Sequence, residues 1–334
     1  MFQRLLYRFG MVLLGGLFPL LALAQSSSDD IEISKLLQSI QVAAKKLTYS
    51  GTFVYQQGNQ IRTSRITHAF DGDIEVEKLE ILDGKPREYL RRNGEVSCYL
   101  PDSKLIQVEK NLTQEEFPAL LSENAALLPK SYLIRKAQMS RVAGAECQVL
   151  TFQPKDTARY GFKLCVEKNS NLLLGIQTLN PRQEVIEQIA FTQINIGDVD
   201  KARLKPSYSN TSNWKTEYLT VKANVNSGWS VKSLPSGYKK TLETRRLIPM
   251  SASAASAEDN VNKAHEVVQM MFSDGLSTFS VFVEPNLGNR TEGSLQQGAM
   301  TITSKRLGEH WLTVVGEVPS TAIKQVVNSI QLKK

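Results

Sequence analysis

Short runs of alternating apolar and polar residues follow one another from residue 49 to residue 195, and this period of two is typical of β-strands. The earlier runs are separated by Gly58 and by Asx-Gly pairs at 71–72, 83–84 and 93–94. Because such pairs between apolar runs are strong hairpin signals, this part of the chain is predicted to form an antiparallel meander. The predicted strands are 49–57, 59–70, 75–82, 87–92, 95–100, 105–108, 132–139, 147–153, 160–166, 172–179 and 185–195.

Apolar residues at helical spacing predict four helices. The first carries a single apolar stripe made by Ile33, Leu36, Leu37, Ile40, Ala44 and Leu47. The second, 113–128, begins with capping-box spacing between Thr113 and Glu116, and the last, 321–331, follows Ser320 as its N-cap. The third is predicted over 259–272, with Val261, Ala264, Val267, Val268 and Met271 on its apolar side.

Further strands accompany the last two helices. The strand 239–246 is expected to place Lys240, Leu242, Thr244 and Arg246 on one face. The turn signal Ser273-Asp274-Gly275 leads into a strand whose residues Phe279, Val281 and Val283 share a face, and strands 299–305 and 311–316 follow. We therefore predict an α+β protein, in which an N-terminal antiparallel sheet curls under covering helices and a smaller C-terminal α+β domain follows.

The first residues predict export. Arg4 and Arg8 precede an apolar run at 11–21, and Ala22-Leu23-Ala24 has the small residues of a cleavage site, so 1–24 is predicted to be a signal peptide cleaved after Ala24. An uncleaved membrane anchor is the alternative. The remaining chain is divided into a first domain at 25–197, a polar linker at 198–213 and a second domain at 214–334.

The net charge is modest and uneven. The whole chain carries +7, of which residues 208–334 contribute +4, from 14 Lys and Arg against 10 Asp and Glu. This excess favours an acidic partner or an anionic surface for the C-terminal part, although a solvated basic face explains it equally well.

Several phrases carry a family resemblance. They are residues 272–284, Thr313-Val-Val-Gly-Glu-Val-Pro319, Arg159-Tyr-Gly-Phe-Lys-Leu164 and Leu172-Leu-Leu174. None of them is a chemical signature by itself, and their specificity comes from their order along the chain. Together they resemble the RseB/MucB family of periplasmic regulators across nearly the whole mature chain. The resemblance implies a first domain similar to the lipoprotein-carrier half-barrel.

It also implies a function without enzymatic activity or a cofactor. Such a regulator binds the periplasmic segment of a membrane-spanning anti-sigma factor of the RseA/MucA type. Binding shields this segment from the site-one protease and keeps the envelope-stress sigma factor silent. Lipopolysaccharide or mislocalised lipoprotein is the implied releasing signal, and switching between homo-oligomers is a natural way to expose the site.

Two sets of candidate residues follow. Charge and an exposed-looking apolar turn place the anti-sigma contact on the second domain, at Lys240, Arg246, Phe272, Asp274, Leu276 and Phe279. The implied half-barrel hollow, which would accept acyl chains, is expected to be lined by Phe53, Tyr55, Tyr89, Tyr99 and Phe117. The alternative for each of these aromatics is that it fills a core.

The cysteines add one covalent expectation. If a hairpin turn centres on Asp156, Cys147 and Cys165 lie opposite each other and can form a cross-strand disulfide in an oxidising compartment. The family usually has an aromatic at the position of Cys165, so the bond would be a local feature. Cys98 would remain a free thiol.

Recognisable catalytic motifs are missing from the sequence. The three histidines have no metal-ligand spacing, and no serine stands in a Gly-x-Ser-x-Gly elbow. The modest basic excess of an exported chain gives no support to nucleic-acid binding. Two functions of different class remain, a regulatory binding protein and a periplasmic carrier of lipids or lipoproteins. The second domain, which a carrier would not need, favours regulation.

Overall fold

The computed structural model describes residues 21–110, 117–121, 125–219, 222–223, 225–249, 264–288 and 290–333. The predicted signal peptide therefore lies outside the described residues, apart from its last four. Among the described helices, none combines the length and the apolar character that crossing a membrane requires.

The first domain is built on one large sheet. A long helix, α1 (Leu21–Lys46), precedes it. Its strands are β1 (Tyr49–Gln57), β2 (Gln60–Phe70), β3 (Glu75–Ile81), β4 (Arg87–Arg92), β5 (Glu95–Leu100), β6 (Leu105–Lys110), β7 (Tyr132–Val142), β8 (Ala145–Pro154), β9 (Gly161–Glu167), β10 (Leu173–Leu179), β11 (Val185–Ile196) and β12 (Lys215–Leu219). Within the described ranges these twelve strands lie in the order β12-β6-β5-β4-β3-β2-β1-β11-β10-β9-β8-β7. The meander predicted for residues 49–108 is confirmed, because β1 to β6 are neighbours in chain order.

Helices cover one side of this sheet and close its core. Leu37 and Ile40 of α1 are buried together with Leu128 of the 3-10 helix Ala125–Lys130 and with Leu150 and Leu164 of the sheet. Burial of such side chains is the main favourable term for this domain. The predicted fold class, a curled antiparallel sheet under helices followed by a smaller domain, is confirmed.

The helix predicted over 113–128 is wrong in its described part. Residues 117–121 form a turn and an irregular segment, and only the short 3-10 helix Ala125–Lys130 follows. Pro118 and Pro129 explain the difference, because proline lacks the N–H that an α-helix needs and clashes with the preceding turn. Residues 111–116 and 122–124 lie outside the described part of the chain.

The second domain contains another antiparallel sheet. Its strands are β13 (Lys222–Ala223), β15 (Lys239–Pro249), β16 (Ala264–Ser273), β17 (Thr278–Pro285), β18 (Gly293–Gln297), β19 (Met300–Leu307) and β20 (His310–Gly316), while β14 (Trp229–Val231) pairs with β21 (Ile330–Leu332). The described strands of the main sheet lie in the order β13-β15-β16-β17-β20-β19-β18. Helix α2 (Ser320–Val327) packs on this sheet through Ile323, Val326 and Val327.

The helix predicted over 259–272 is wrong where the structure describes it, because residues 264–272 belong to strand β16. The consecutive residues Val267 and Val268 are both buried, so this strand is covered on both faces. A strand covered in this way loses its polar alternation, and its apolar residues then imitate helical spacing. The predicted pattern of β17 is confirmed, with Phe279, Val281 and Val283 buried on one face.

Two smaller expectations also need correction. A bulge between Lys240 and Leu242 interrupts the alternation of β15, so Lys240 does not share a face with Leu242 and Arg246. Pro319, not Ser320, is the N-cap of α2, and no side chain caps the helix there.

The disulfide joins Cys147 to Cys165 with 5.4 Å between their Cα atoms. The two residues are not directly opposite, as the assumed turn centre required. Cys147 pairs with Glu167, and Cys165 pairs with Val149, so the cysteines are diagonal neighbours. Cys98 is a free cysteine and is partly buried.

The segment predicted as a linker is fixed to the first domain. The buried ion pair between Lys78 and Glu88, 3.1 Å apart, binds Ser207 through the Lys78 ammonium and the Glu88 carboxylate. Tyr208 lies beside the ring of Tyr99, and β12 then pairs in parallel with β6. Since β12 belongs to the first sheet, we propose a domain boundary after residue 219.

Candidate functional site at the domain interface

A buried ion pair connects the two domains. Arg159, just before β9, places Nη1 2.5 Å from the Asp274 carboxylate in the β16–β17 turn, and neither side chain is accessible to solvent. The guanidinium also binds the Asp156 carboxylate, and its carbon lies 5.4 Å and 5.1 Å from the ring centres of Tyr132 and Tyr238. One side chain of the first domain thus holds residues from both domains.

The local sequence prepares Asp274 for this contact. One carboxylate oxygen accepts hydrogen bonds from the backbone N–H groups of Leu276 and Ser277, which is the usual geometry of an Asx turn. The other oxygen accepts from the Tyr132 hydroxyl at 3.2 Å and faces Arg159. Burial alone would lower the pKa of Arg159, but the Asp156 and Asp274 carboxylates outweigh it and raise that pKa, so Arg159 is charged. Burial raises the pKa of Asp274, although its hydrogen-bond donors and the Arg159 charge act in the opposite direction.

A second polar contact lies at the other end of the interface. Glu187 of β11 is buried, and its carboxylate accepts from the Tyr55 hydroxyl at 3.1 Å and from the Gln57 amide at 3.3 Å. It also accepts, at 3.4 Å, the backbone N–H of Ala299 in the β18–β19 turn. Burial and the adjacent Glu187 raise the pKa of Tyr55, so its hydroxyl stays protonated and donates. Gln57 reaches further, to the carbonyl oxygen of Gln297 at 3.1 Å.

The predicted partner-binding residues of the β16–β17 turn are mostly buried. Phe272 and Phe279, 3% and 1% exposed, lie in the core of the second domain. Asp274 is 5% exposed at the interface, and the half-buried Leu276 packs against the core of the first domain. The expectation of an exposed apolar turn is therefore wrong. The sequence predicted exposure because a Ser-Asp-Gly turn normally faces solvent. In this protein Arg159 covers the Asp274 carboxylate.

The two predicted basic residues remain partly accessible. Lys240 forms an ion pair with Glu243, and its side chain is 43% exposed. Arg246 is 2.8 Å from the Glu109 carboxylate of β6 and therefore forms another contact between the domains. Since Lys240 and Arg246 lie on different faces of β15, the structure does not bring them together as one patch.

The predicted pocket aromatics do not lie together in one hollow. Phe53 and Phe117 are buried with Phe191, with ring centres 5.0–5.8 Å apart, and fill the core. Tyr89 is half-buried on the same side of the sheet as Phe53, whereas Tyr55 binds Glu187 at the interface.

Tyr99 does not belong to this side. It pairs with Glu88, which is adjacent to Tyr89, so it projects from the opposite side, where Tyr208 and Trp214 contact it. Its predicted place in the hollow is therefore wrong. The strand β5 itself was predicted correctly. The error arose because the segment that covers Tyr99 on the outer side of the sheet was predicted to be a linker without contacts to the first domain.

The importance of Arg159 was missed in the sequence, although a signal was present. Arg159 and Asp274 carry opposite charges, and each stands in one of the phrases that carry the family resemblance. Their separation of 115 residues hides the pairing. Within the described residues, no group of three or more His, Cys, Asp and Glu side chains is placed to hold a metal ion.

Comparison with known proteins covers both domains in the same order. Residues 32–208 match the MucB/RseB N-terminal domain, and residues 223–331 match the MucB/RseB C-terminal domain. The sigma factor AlgU regulatory protein MucB of Pseudomonas aeruginosa is 28% identical over 96% of both chains. The sigma-E factor regulatory protein RseB of Escherichia coli is 24% identical over 89% of both.

The fold agrees with solved structures of a relative. The crystal structure of MucB in complex with MucA(peri) superposes with a TM-score of 0.68 at 28% identity and covers 90% of this chain and 99% of that one. The complex structure of Pseudomonas aeruginosa MucA/MucB gives 0.69 at the same identity, with 91% and 99% covered. Because both domains match in sequence and in fold, this chain belongs to the MucB/RseB family.

Proposed function

We propose that this protein is a periplasmic regulator that binds the periplasmic segment of a membrane-spanning anti-sigma factor. Binding shields this segment from the site-one protease, and the envelope-stress sigma factor stays inactive. The observation that carries the proposal is the match of both domains, in order, to a family whose members are named sigma factor regulatory proteins. The fold match to MucB in complex with MucA(peri) supports the same class of partner.

The role is one of binding, without catalysis. Shielding a peptide needs a complementary surface and no reacting groups. Arg159 and Asp274, the most deeply buried charges of the interface, bind each other and join the two domains. They are therefore not available to act on a substrate. We keep Lys240 and Arg246 as proposed contacts for acidic residues of the partner, since both are partly exposed near the interface.

The proposed release signal is an amphiphile such as lipopolysaccharide or a mislocalised lipoprotein. The half-barrel side that carries Tyr89 is its proposed entry. A ligand can displace the partner only if it binds the released arrangement of the domains more tightly than the shielding one. The polar contacts between the domains offer a way to couple the two events, because a change in their alignment breaks directional hydrogen bonds.

A pull-down from detergent-solubilised envelope tests the proposal, with the mature chain as bait, with and without lipopolysaccharide. Recovery of a single-span anti-sigma factor that lipopolysaccharide abolishes supports both the partner and the signal. Recovery that is insensitive to lipopolysaccharide supports the partner and contradicts the signal. The pair Lys240→Glu and Arg246→Glu should weaken recovery, whereas Lys324→Glu, on the exposed side of α2, should not.

The alternative function is a periplasmic carrier of lipids or lipoproteins. The curled sheet of the first domain favours it, since such a sheet can enclose acyl chains. The second domain argues against this alternative, because a carrier would not need it. A fully buried ion pair nevertheless joins it to the first domain. If the pull-down recovered only lipids or lipoproteins, the carrier would replace the regulator.

A further inference from the structure

A cleft of about 860 Å³ opens between the two domains, at the tips of two hairpins. The β1–β2 turn and the start of β11 form one wall, and the β18–β19 turn forms the other. Amide side chains dominate the described lining, which includes Gln56, Gln57, Gln60, Gln188, Gln296 and Gln297. Glu187 is the charged residue of that described lining, and its carboxylate is already bound to Tyr55, Gln57 and the backbone of Ala299.

This chemistry favours an uncharged, hydrogen-bonding ligand. An amide side chain offers a donor and an acceptor at the same time, which matches the alternating N–H and C=O groups of a peptide main chain. A cleft for an anionic headgroup would instead present arginine or lysine side chains. The described lining contains neither residue.

Strand β18 adds a free edge beside the cleft. It is the last strand in the described order of its sheet, and all five of its residues are exposed. A two-residue turn with Gly298 at φ +57° connects it to β19, so Gln297 and Met300 form the hydrogen-bonded pair that closes the hairpin. By the alternation of antiparallel pairs, Ser294 and Gln296 then direct their backbone N–H and C=O groups away from β19.

Apolar side chains border the same place. Leu295 on β18 is 64% exposed and pairs with Ile302, which is 38% exposed. Val185, a cleft residue, is 47% exposed. Unprotected edges of this kind are rare on isolated proteins because they invite another strand. An extended segment with apolar residues at alternate positions would satisfy both the edge and these side chains.

We infer that β18 and the glutamine-lined cleft bind an extended, uncharged stretch of a partner polypeptide by strand addition. The inference rests on the proposed function and locates one contact of that partner. In that function the occupant is a stretch of the anti-sigma periplasmic segment. Main-chain hydrogen bonds to Ser294 and Gln296 would supply affinity, and Leu295 would select apolar residues.

Amide hydrogen exchange tests the inference on the mature chain, with the purified periplasmic segment of the anti-sigma factor as the probe. The segment should slow exchange at Ser294 and Gln296, while Leu295, already bonded within the hairpin, should change little. Leu295→Lys should weaken binding about tenfold. Leu332→Lys, which replaces a leucine on β21 that is 54% exposed, should change affinity less than about twofold.

The outcomes separate the inference from the proposed function. Tight binding of the segment with unchanged exchange at Ser294 and Gln296, and with no effect of Leu295→Lys, overturns the inference and leaves the function standing. Failure of the wild-type chain to bind the segment overturns both. If Ser294 and Gln296 are protected without any segment, and protection rises with protein concentration, the occupant is a second copy of this chain, and the inference is also overturned.

Discussion

Replacing Arg159 by methionine should destabilise the protein by about 3 kcal/mol. Removal of one partner from a buried ion pair typically costs about 3–5 kcal/mol, because the remaining charge stays desolvated and unpaired. We expect the lower end, since Asp274 keeps three hydrogen-bond donors, the backbone N–H groups of Leu276 and Ser277 at 3.0 and 2.8 Å and the Tyr132 hydroxyl at 3.2 Å. Methionine retains part of the contact with the flanking rings, which separates loss of charge from loss of volume.

Urea unfolding followed by circular dichroism measures the change, with calorimetry to find out whether the two domains still unfold together. A matched control is Arg290→Met, which breaks a more exposed ion pair with Glu284 in the second domain and should cost no more than about 1 kcal/mol. Adding Asp274→Asn to Arg159→Met should recover part of the loss, because no unpaired charge is then buried. If Arg159→Met costs no more than Arg290→Met, the pair does not hold the domains together and the reasoning is refuted.

Three further changes test separate parts of the molecule. Replacing Cys147 and Cys165 by serine should cost about 3 kcal/mol, since the disulfide closes a loop of 18 residues, and reduction of the wild-type protein should lower its urea midpoint equally. Gly316→Ala should cost about 2 kcal/mol or more, because the new Cβ would overlap the Phe279 side chain on the neighbouring strand β17, whereas Gly293→Ala meets open space and should be nearly neutral in thermal unfolding. A hydrogen bond from the buried His68 lowers the pKa of Glu75 below its usual value of 4.5 in the folded protein. The ionised carboxylate therefore stabilises the fold at neutral pH, and this stabilisation is lost as the pH falls through the folded-state pKa. In an acid titration, Glu75→Gln should therefore lose less stability than the wild-type protein.

The strand pattern of the first domain was predictable because local signals determine it. Asx-Gly turns fix the lengths of the early hairpins, and a strand that buries only one face keeps its alternation in the sequence. β16 shows where this logic fails. Val267 and Val268 are adjacent and both buried, and a strand covered on both sides has the apolar content of a helix without its polar face.

The domain interface could not be predicted from local pattern. Asp274 has the sequence of an exposed turn, and its burial depends on Arg159, which is 115 residues away. The linker raises the same problem. Its serine and asparagine residues look mobile, yet Ser207 binds the buried Lys78–Glu88 pair, and Tyr99 is covered from the opposite side as a result. Pairings over such distances leave no periodic trace in the chain.

The kind of bond at this interface bears on how a regulator would switch. Its described polar contacts include those between Arg159 and Asp274, between Arg246 and Glu109, and between Gln57 and the carbonyl of Gln297. Such contacts depend on direction, so a small rotation of one domain breaks them together, whereas apolar contacts weaken gradually. An extended segment in the glutamine-lined cleft would bind both walls and favour the closed arrangement. A ligand that fits only the open arrangement would release the partner only if its binding free energy exceeded the stabilisation that the partner gives to the closed arrangement. Release would then depend on the difference between these two binding free energies.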